Sequence, residues 1–469
     1  MIKIAFVDLL HLYNDHHGIY ALAGVLKRND AQLYFVSSRN FSKILKQIQC
    51  IRPDLVCYSS FSSTISLYAA FDDIAKKRFK FKSIIGGPGP TFDWSTLRNS
   101  SIDAICVGEG EYAIVDYIQN GFEPAKNIFN RNAPFPTDFY PLADMDNLPF
   151  PDRSVVYKTD PLLKQSPSKQ FFSGRGCPYN CSYCFNHKFR EIFHGCGPQV
   201  RKKSVDYLIE EIKDVRRHYP LKEIIFNDDI FILGQKWFTE FCDRYPREVG
   251  LPYTCNVRAD LINEELAAGL RQSSCQGVNW AIETGNEQIR NNVLNRNMPD
   301  DQIYHAARCL TKYGIRFRTG NILGLPGETL TQMYETVEMN IKVKPYLGLA
   351  NIFIPFPGLK LTQYAMEQGC CRQTDIRDLP KDYFSNSMLD FSEKEKNLIY
   401  KLFCLFPLFV QWPRLFHNLK IRKALLKMPR FVLRLIYEPV YTYKMSRLCI
   451  PRVPLRAKLR MVLRHLKNL

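Results

Sequence analysis

The stretch GRGCPYNCSYCFN, residues 174–186, places three cysteines in the spacing C-x3-C-x2-C. It follows a predicted strand, so Cys177, Cys181 and Cys184 share one short loop. Soft thiolate ligands suit iron–sulfur clusters, and three of them can hold three irons of a [4Fe–4S] cube. The fourth iron is then open to a small molecule. The spacing therefore predicts a cluster site that also binds a ligand.

Strand and helix patterns alternate on the N-terminal side of this loop. Within residues 1–133 the predicted strands are Ile2–Asp8, Gln32–Ser37, Asp54–Ser59, Ser83–Gly86 and Ala104–Val107. Amphipathic stretches between them, such as Ile19–Lys27 and Phe41–Ile51, predict helices. Such alternation predicts an α/β fold with a doubly wound, Rossmann-like parallel sheet. Ligands of these sheets bind beyond the carboxyl ends of the strands, where glycine lets the backbone approach them closely.

A second body with the same alternation follows a proline-rich segment. Five prolines in residues 134–152 exclude regular structure and predict a linker. Residues 153–370 contain six predicted strands: Gln170–Ser173, Glu223–Asn227, Tyr253–Asn256, Gly277–Ala281, Arg316–Ile322 and Ala350–Ile354. Six strands with intervening helices predict a partial (β/α)6 barrel. Residues 371–469 follow as a helical, basic C-terminal region.

The positive charge is concentrated in that last region. The chain carries a net charge of +18, and residues 411–469 hold fifteen Lys and Arg against one acid, Glu438, a net +14. The apolar run Leu402–Val410 is shorter than the roughly 18 residues that span a bilayer. The fifteen scattered cysteines and a first segment that resembles a strand rather than a signal peptide predict a cytoplasmic protein.

The cysteine loop resembles the signature of the radical S-adenosylmethionine (SAM) superfamily, in which an aromatic residue, here Tyr183, precedes the third cysteine. Further segments match later landmarks of that family in order: 225–229, 256–260, 281–285, 292–296, 324–329 and 356–358. The resemblance implies that SAM binds the open iron and is cleaved to a 5′-deoxyadenosyl radical. It also implies an electron donor such as flavodoxin or ferredoxin.

The same resemblance suggests residues that contact SAM. Tyr183, Arg258 and Glu283 are the expected contacts, and Asp228 or its neighbour Asp229 is expected to reach SAM or substrate. A buried ion pair that supports the barrel is the alternative for Arg258 and Glu283. We expect Arg296 to be a helix-end charge or a structural charge.

A doubly wound domain before a radical SAM barrel is the layout of the cobalamin-dependent family. The segments 18–23, 53–60, 85–88 and 107–111 resemble leading segments of that family. The resemblance implies cobalamin contacts at strand ends, namely Gly18, Ser59, Ser60, Gly86, Gly87, Glu109 and Gly110. His16 and His17 are expected near the corrin but not as cobalt ligands, because the D-x-H-x-x-G motif is incomplete. A domain that keeps the fold without cobalamin is an alternative.

The resemblance favours methylation of an unactivated carbon or phosphorus centre. Radical cyclisation, rearrangement or oxidation, with or without cobalamin, stays open as a second reaction class. A non-catalytic iron–sulfur redox protein and a zinc site, with a fourth ligand from His187, His194 or Cys196, are further alternatives. A methylthiotransferase would need a second cysteine trio in the first domain, and Cys50, Cys57 and Cys106 instead suggest core residues.

The basic C-terminal region suggests a partner. Segments from Leu419 to Leu469 mix basic and apolar residues as amphipathic helices on anionic lipid do. A small-molecule or lipid substrate and a peripheral membrane contact would fit, and a solvated helical cap on the barrel is the alternative. We expect no nucleic acid, since no module that binds it accompanies the charge.

Overall fold

The computed structural model describes residues 1–10, 15–124, 126–372, 379–380 and 386–449, without the side chains of 442 and 445–449. Its first sheet has the strand order β2-β1-β3-β4-β5-β6, with β6 antiparallel and the other strands parallel. The strands are β1 Lys3–Asp8, β2 Gln32–Ser37, β3 Leu55–Ser59, β4 Lys82–Gly86, β5 Ala104–Cys106 and β6 Ile128–Asn130. The helices are α1 His17–Lys27, α2 Phe41–Ile51, α3 Ile65–Lys76, α4 Pro88–Asp93 and α5 Glu111–Gln119.

Both faces of this sheet are buried, which explains its continuous apolar strands. Successive residues of β1 point to opposite faces, so Phe6 belongs to one hydrophobic cluster and Val7 to another. Helix α2 begins where the Asn40 side chain accepts a hydrogen bond from the Lys43 amide. The predicted doubly wound sheet is confirmed, while the antiparallel edge strand β6 was not predicted.

The second sheet has the order β7-β10-β11-β12-β13-β14 with every pair parallel, as a partial (β/α)6 barrel requires. Its strands are β7 Ser168–Phe171, β10 Glu223–Phe226, β11 Tyr253–Asn256, β12 Cys275–Glu283, β13 Arg316–Leu323 and β14 Leu347–Ile352. The crossover helices are α9 Val205–His218, α10 Gln235–Glu248, α11 Glu264–Gln272, α12 Asp300–Lys312 and α13 Leu330–Val343. The predicted barrel is confirmed, although its first strand begins two residues earlier than expected.

Short elements between β7 and β10 carry the cysteine loop. Strands β8 Gly174–Arg175 and β9 Arg201–Lys202 form a small antiparallel pair, and helix α8 Phe185–Ile192 lies between them in sequence. Two earlier helices, α6 Ser154–Tyr157 and α7 Pro161–Gln165, pack with the first sheet through Val155, Val156, Tyr157 and Leu163. Hydrophobic packing therefore joins residues 154–165 to the first body, although we expected the second body to begin at 153.

Helix α14 Lys360–Glu367 follows β14. The described part of the C-terminal region contains the helices α15 Glu393–Gln411, α16 Pro413–His417, α17 Leu419–Lys427 and α18 Arg430–Cys449. Helix α15 covers β14, the open edge of the barrel, and includes Pro407 without ending there. Within the described part of the chain, no helix combines the length and the apolar character needed to cross a bilayer. The tail beyond 449 lies outside the described residues.

The segment 134–152 has no helix or strand, as its prolines predicted, but it is packed against both bodies. The Leu142 amide donates to the Cys196 carbonyl at 2.7 Å, and the Asp152 amide donates to the Tyr20 carbonyl at 2.9 Å. A Cβ atom added to Gly24 in α1 would lie 2.6 Å from the Phe150 carbonyl oxygen. The segment therefore fixes α1 by close backbone contact.

Replacing Gly24 with alanine should lower the free energy of unfolding by about 1–3 kcal/mol, because the new methyl group overlaps the Phe150 backbone. Gly18 in the same helix is the control, since a Cβ atom there meets nothing within 4 Å. G18A should leave stability unchanged or raise it by a few tenths of a kcal/mol. Urea denaturation of the two variants measures the difference, and equal midpoints would contradict the contact.

Candidate functional site

The cysteine loop lies between β8 and α8 and is held by side chains of α8. Arg190 donates to the carbonyls of Cys177 and Tyr179, and Nδ1 of the buried His187 lies 3.1 Å from the Cys181 carbonyl oxygen. These contacts fix the backbone that carries the cysteines. His187 thus supports the loop from behind through a backbone carbonyl.

Hydrogen-bond donors face the sulfur atoms. Arg258 Nη1 lies 3.4 Å from Cys181 Sγ, and Asn186 Nδ2 lies 3.6 Å from Cys184 Sγ. Burial raises the pKa of the Cys184 thiol to about 11, so a bound metal rather than water would have to favour its thiolate. Three soft ligands with donors aimed at sulfur fit an iron–sulfur cluster.

No single-ion site accompanies these thiols. In the described ranges, no three His, Cys, Asp or Glu side chains are grouped as ligands of one metal ion. A cubic cluster differs from such a site because the three thiolates bind three different irons rather than one ion. The donor set of the loop thus fits the cluster predicted from the spacing.

A buried polar cluster lies beside the loop at the end of β12. The Tyr183 hydroxyl donates to Glu283 Oε1 at 2.7 Å, and Arg296 donates to both groups, at 3.2 Å in the case of Glu283. Burial raises the pKa of Glu283 although the Arg296 charge opposes the shift. Glu283 also has a φ of +69°, a backbone conformation that costs energy in a non-glycine residue.

Arg258 and Glu283, the two residues expected to contact SAM, each form an ion pair, but not with each other. Arg258 pairs with Asp260 at 2.8 Å and lies over the Tyr179 ring, whereas Glu283 pairs with Arg296. Of the two roles expected for Arg296, a helix-end charge or a structural one, the contacts fit the structural one, because this side chain is buried and donates to Tyr183 and Glu283. Arg296 and Glu283 are 13 residues apart in sequence, and nothing in the sequence indicated that their side chains pair.

A cavity of about 570 Å³ adjoins Cys184. Tyr183 and Asp229 line it together with Asn186 and Asn351. The remaining wall is apolar and comes from both bodies: Phe61, Pro88 and Phe92 from the first, and Phe185, Phe189, Ile322, Ile352, Phe353, Ile354 and Phe356 from the second. Phe92 and Phe185 stack across the boundary with ring centroids 4.6 Å apart.

Asp228 does not line this cavity, unlike its neighbour. Its buried carboxylate accepts from the Ser173 hydroxyl at 2.6 Å, from the Ser173 amide at 3.0 Å and from Lys202 Nζ at 3.4 Å. These contacts fasten the ends of β7 and β10 to β9. Of these two residues, Asp229 is therefore the one placed to contact a ligand in the cavity beside Cys184.

A second cavity, of about 490 Å³, lies between the first sheet and the β8–β9 pair. Most of the expected cobalamin contacts line it: Gly18, Ser59, Gly86, Gly87, Glu109 and Gly110. Ser60 does not line it and is buried behind the turn that follows β3. The barrel side of this cavity includes Arg175, Gln199 and Arg201.

The walls of this second cavity suit a large polar ligand. Gly87 has a φ of +98°, and a Cβ atom there would lie 2.9 Å from the Ser60 carbonyl oxygen, so only glycine fits this turn. Buried Gln199 Oε1 and Arg201 Nε have no hydrogen-bond partner within the part of the chain that the structure describes. Unpaired buried polar atoms at a cavity wall indicate a missing ligand. The amide side chains of a corrin ring would supply such partners.

Glu109 lines the second cavity but its carboxylate is already paired. It accepts from Arg175 at 2.9 Å, from Arg201 at 2.6 Å and from the Ala143 amide at 3.0 Å. Arg175 also pairs with Glu111. Glu109 thus joins the loop after β5 to the β8–β9 pair, a role that the sequence did not predict.

His17 is the first residue of α1 and lines the second cavity. Its Nε2 atom lies 3.3 Å from Gln170 Oε1, and its ring packs edge-on against Phe172. Burial lowers the pKa of His17 to about 4, so the ring is neutral at pH 7. His17 therefore contacts the barrel strand β7 beside the cavity, while His16 packs against Phe35.

Helix α8 separates the two cavities. Asn186 and Phe189 line both of them, and no other residue is shared between the two walls within the described chain. The cysteine loop, the aromatic cavity and the second cavity are therefore contiguous across one helix. Groups bound in the two cavities would lie on either side of Asn186 and Phe189.

Two family models match the chain in this order. The B12 binding domain model matches residues 7–118, which form the first sheet and its helices, and the Radical SAM superfamily model matches residues 171–339, which include the cysteine loop and most of the barrel. The chain thus carries a B12 binding domain followed by a radical SAM domain, and it is a radical SAM enzyme.

Named relatives agree with these two domain matches. An uncharacterised methyltransferase of Pyrococcus horikoshii is 28% identical over 70% of this chain and 72% of its own length. The anaerobic magnesium-protoporphyrin IX monomethyl ester cyclase of Rubrivivax gelatinosus is 26% identical over 73% of this chain and 64% of its own length. The structure of the radical SAM methyltransferase TsrM of Kitasatospora setae, with cobalamin and a [4Fe–4S] cluster bound, has a TM-score of 0.64 over 80% of each chain, at 14% identity. The last likeness shows the fold alone.

Glu109 should stabilise the folded state of this enzyme in a pH-dependent way. Burial alone would raise the pKa of Glu109, but Arg201 and Arg175 lower it to about 2, below the ordinary 4.5. A carboxylate with a depressed pKa stabilises the fold above its unfolded pKa and loses this effect as the pH falls towards the folded pKa. The stability difference between wild type and E109Q should thus shrink by about 1.4 kcal/mol per pH unit below pH ~4.5.

Anaerobic urea denaturation between about pH 7 and pH 3 measures this difference. The control is Glu210→Gln, because Glu210 pairs with Lys213 on the surface and such pairs contribute little. A difference between wild type and E109Q that stays constant over this range would contradict the role of Glu109.

Proposed function

We propose that the chain is a cobalamin-dependent radical SAM methyltransferase that methylates an unactivated carbon or phosphorus centre. The observation that carries this proposal is the shared wall of Asn186 and Phe189 between the two cavities. Methyl transfer needs both the methyl donor and the radical that abstracts hydrogen to lie within reach of one substrate. Two contiguous cavities, one beside the cysteines and one in the B12-binding domain, provide that arrangement.

In this proposal Cys177, Cys181 and Cys184 hold the cluster, and Arg258 donates to the Cys181 sulfur. When bound, the cluster and cobalamin supply radical cleavage of SAM and a transferable methyl group, chemistry that no side chain offers. Beside the loop, Tyr183 and Glu283 form a polar surface that Arg296 holds in place, and hydroxyl groups of a SAM ribose suit such acceptors. Asp229 is the acidic residue that lines the cavity beside Cys184.

The cobalamin contacts that we propose are the strand-end residues of the first sheet. Gly18, Ser59, Gly86, Gly87 and Gly110 line the second cavity and leave its surface open to a flat ring. Glu109 keeps the two walls together through its arginines rather than by touching the ligand with its carboxylate. Ser60 supports this wall through its backbone, because its amide donates to the Gly86 carbonyl at 3.0 Å and its carbonyl accepts from the Gly89 amide at 2.9 Å.

The substrate that we propose is an apolar small molecule or a lipid, because aromatic and aliphatic side chains form most of the cavity beside Cys184. Those side chains favour an apolar ligand over water in this cavity. The enzyme also needs a one-electron donor, for which flavodoxin or ferredoxin is our proposal.

Radical ring formation or oxidation is the second candidate reaction. The observation that favours it is the similarity to the Rubrivivax gelatinosus cyclase, which aligns with 73% of this chain. Both reactions use the same pair of cavities and differ in the fate of the substrate radical. Product analysis therefore distinguishes them.

Changing Cys181 to serine should abolish the broad visible absorption of the reconstituted cluster, because a hydroxyl is a poor iron ligand. Cys196 is the matched control, since it lies twelve residues after Cys184 and outside the motif. C196S should keep the iron and sulfide content of the wild type. Iron content and the visible spectrum under anaerobic conditions measure both variants, and an intact cluster in C181S would refute the assignment.

The reaction itself is tested with SAM that carries a trideuterated methyl group. After reconstitution with iron, sulfide and hydroxocobalamin, we expect about one corrinoid to stay bound per chain. With a reductant and extracts rich in apolar metabolites, the enzyme should form a product whose mass reports the labelled methyl group. A product that has lost hydrogen without gaining label would instead support the cyclisation or oxidation reaction.

A further inference from the structure

The C-terminal helices expose apolar side chains that no described element covers. Six of the eleven large hydrophobic residues exposed in the described part of the chain lie between 412 and 443. Five of these six are Trp412, Leu419, Ile421, Phe431 and Leu435. Scattered exposed apolar residues are ordinary, but a concentration of them marks an interaction site.

Helix α18 has two apolar faces, of which only one is packed. Leu433 and Tyr437 are buried against α15, where the Tyr437 and Phe403 rings lie 5.1 Å apart. Phe431 and Leu435, one turn apart on the outer face, are 68% and 69% exposed. A helix that only caps the barrel would carry polar residues on that outer face.

Positive charge is concentrated in the same C-terminal helices. Residues 411–449 contain nine Lys and Arg but a single acid, Glu438. Helix α17 has no buried residue, and its Lys420, Lys423 and Lys427 are all exposed. Basic side chains beside exposed apolar ones are the pattern of a helix that lies in the interface of an anionic membrane.

We propose that α17 and α18 dock the enzyme on an anionic lipid surface. Phe431 and Leu435 enter the boundary between headgroups and acyl chains, and the lysines of α17 lie against the anionic headgroups. A second copy of the chain fits less well, because a two-fold contact would bring the same positive surface against itself. The docking does not depend on which reaction the enzyme catalyses.

The test is sedimentation of the reconstituted full chain with sucrose-loaded vesicles. Vesicles of phosphatidylcholine with about a third phosphatidylglycerol should pellet the protein, and vesicles of pure phosphatidylcholine should pellet at least about tenfold less. Added salt should weaken the binding, since it screens the lysines. Lys420→Gln with Lys423→Gln and Lys427→Gln should reduce binding to the anionic vesicles alone.

The double variant Phe431→Ser, Leu435→Ser should bind anionic vesicles about tenfold more weakly at an unchanged melting temperature. Its matched control is Ile74→Ser, Met366→Ser, which removes two apolar side chains exposed to 38% and 40% elsewhere. That control should bind like the wild type.

Three outcomes would overturn the docking. The first is equal pelleting of the wild type and the Phe431/Leu435 variant. The second is a loss of melting temperature in that variant without vesicle binding by the wild type, which would mean that another segment of the chain covers these residues. The third is a dimer that the Phe431/Leu435 variant dissociates, seen by sedimentation equilibrium in the absence of lipid, together with no vesicle binding.

Discussion

The position of the first sheet over the barrel depends on one buried carboxylate. Glu109, in the loop after β5, lies between Arg175 of β8 and Arg201 of β9, so one acidic group is shared by two strands of the other body. Removing three charges from water is costly, and such a cluster adds less to stability than to the choice of one geometry. Here the geometry chosen is the distance between the strand ends of the first sheet and the cysteine loop, which starts two residues after Arg175.

A second connection acts at the other side of the same interface. Asp15 accepts from the Gln170 amide of β7 at 3.0 Å and pairs with Arg153 at 3.4 Å. Together with Glu109 it holds the carboxyl ends of the first sheet at two separate points. The space between these points is the second cavity, whose glycines lie at the turns after β4 and β5. The interface leaves room for a cavity because the contacts of Asp15 and Glu109 lie at its edges.

The sequence was most informative where the chemistry is local. The cysteine loop and helix α2, whose bounds match the prediction, depend on residues close together in the chain. The sequence did not reveal the partners of Arg296, because its contacts with Glu283 and Tyr183 arise only when β12 and the cysteine loop are adjacent. Asp228 and Asp229 could not be separated from the sequence, since which of two neighbours faces the cavity depends on the exact end of β10. Strand β6 has three residues, too few for a pattern.

Helix α8 has eight residues and serves three structures at once. Its Arg190 and His187 hold the cysteine loop, while its Asn186 and Phe189 belong to the walls of both cavities. A substitution that reshapes the substrate side therefore also changes the corrinoid side and the surroundings of the cysteines. Divergence towards a new substrate is thus constrained within this helix. Substitutions are less constrained at residues that line the aromatic cavity but not the second cavity, namely Phe61, Phe92, Phe353 and Phe356.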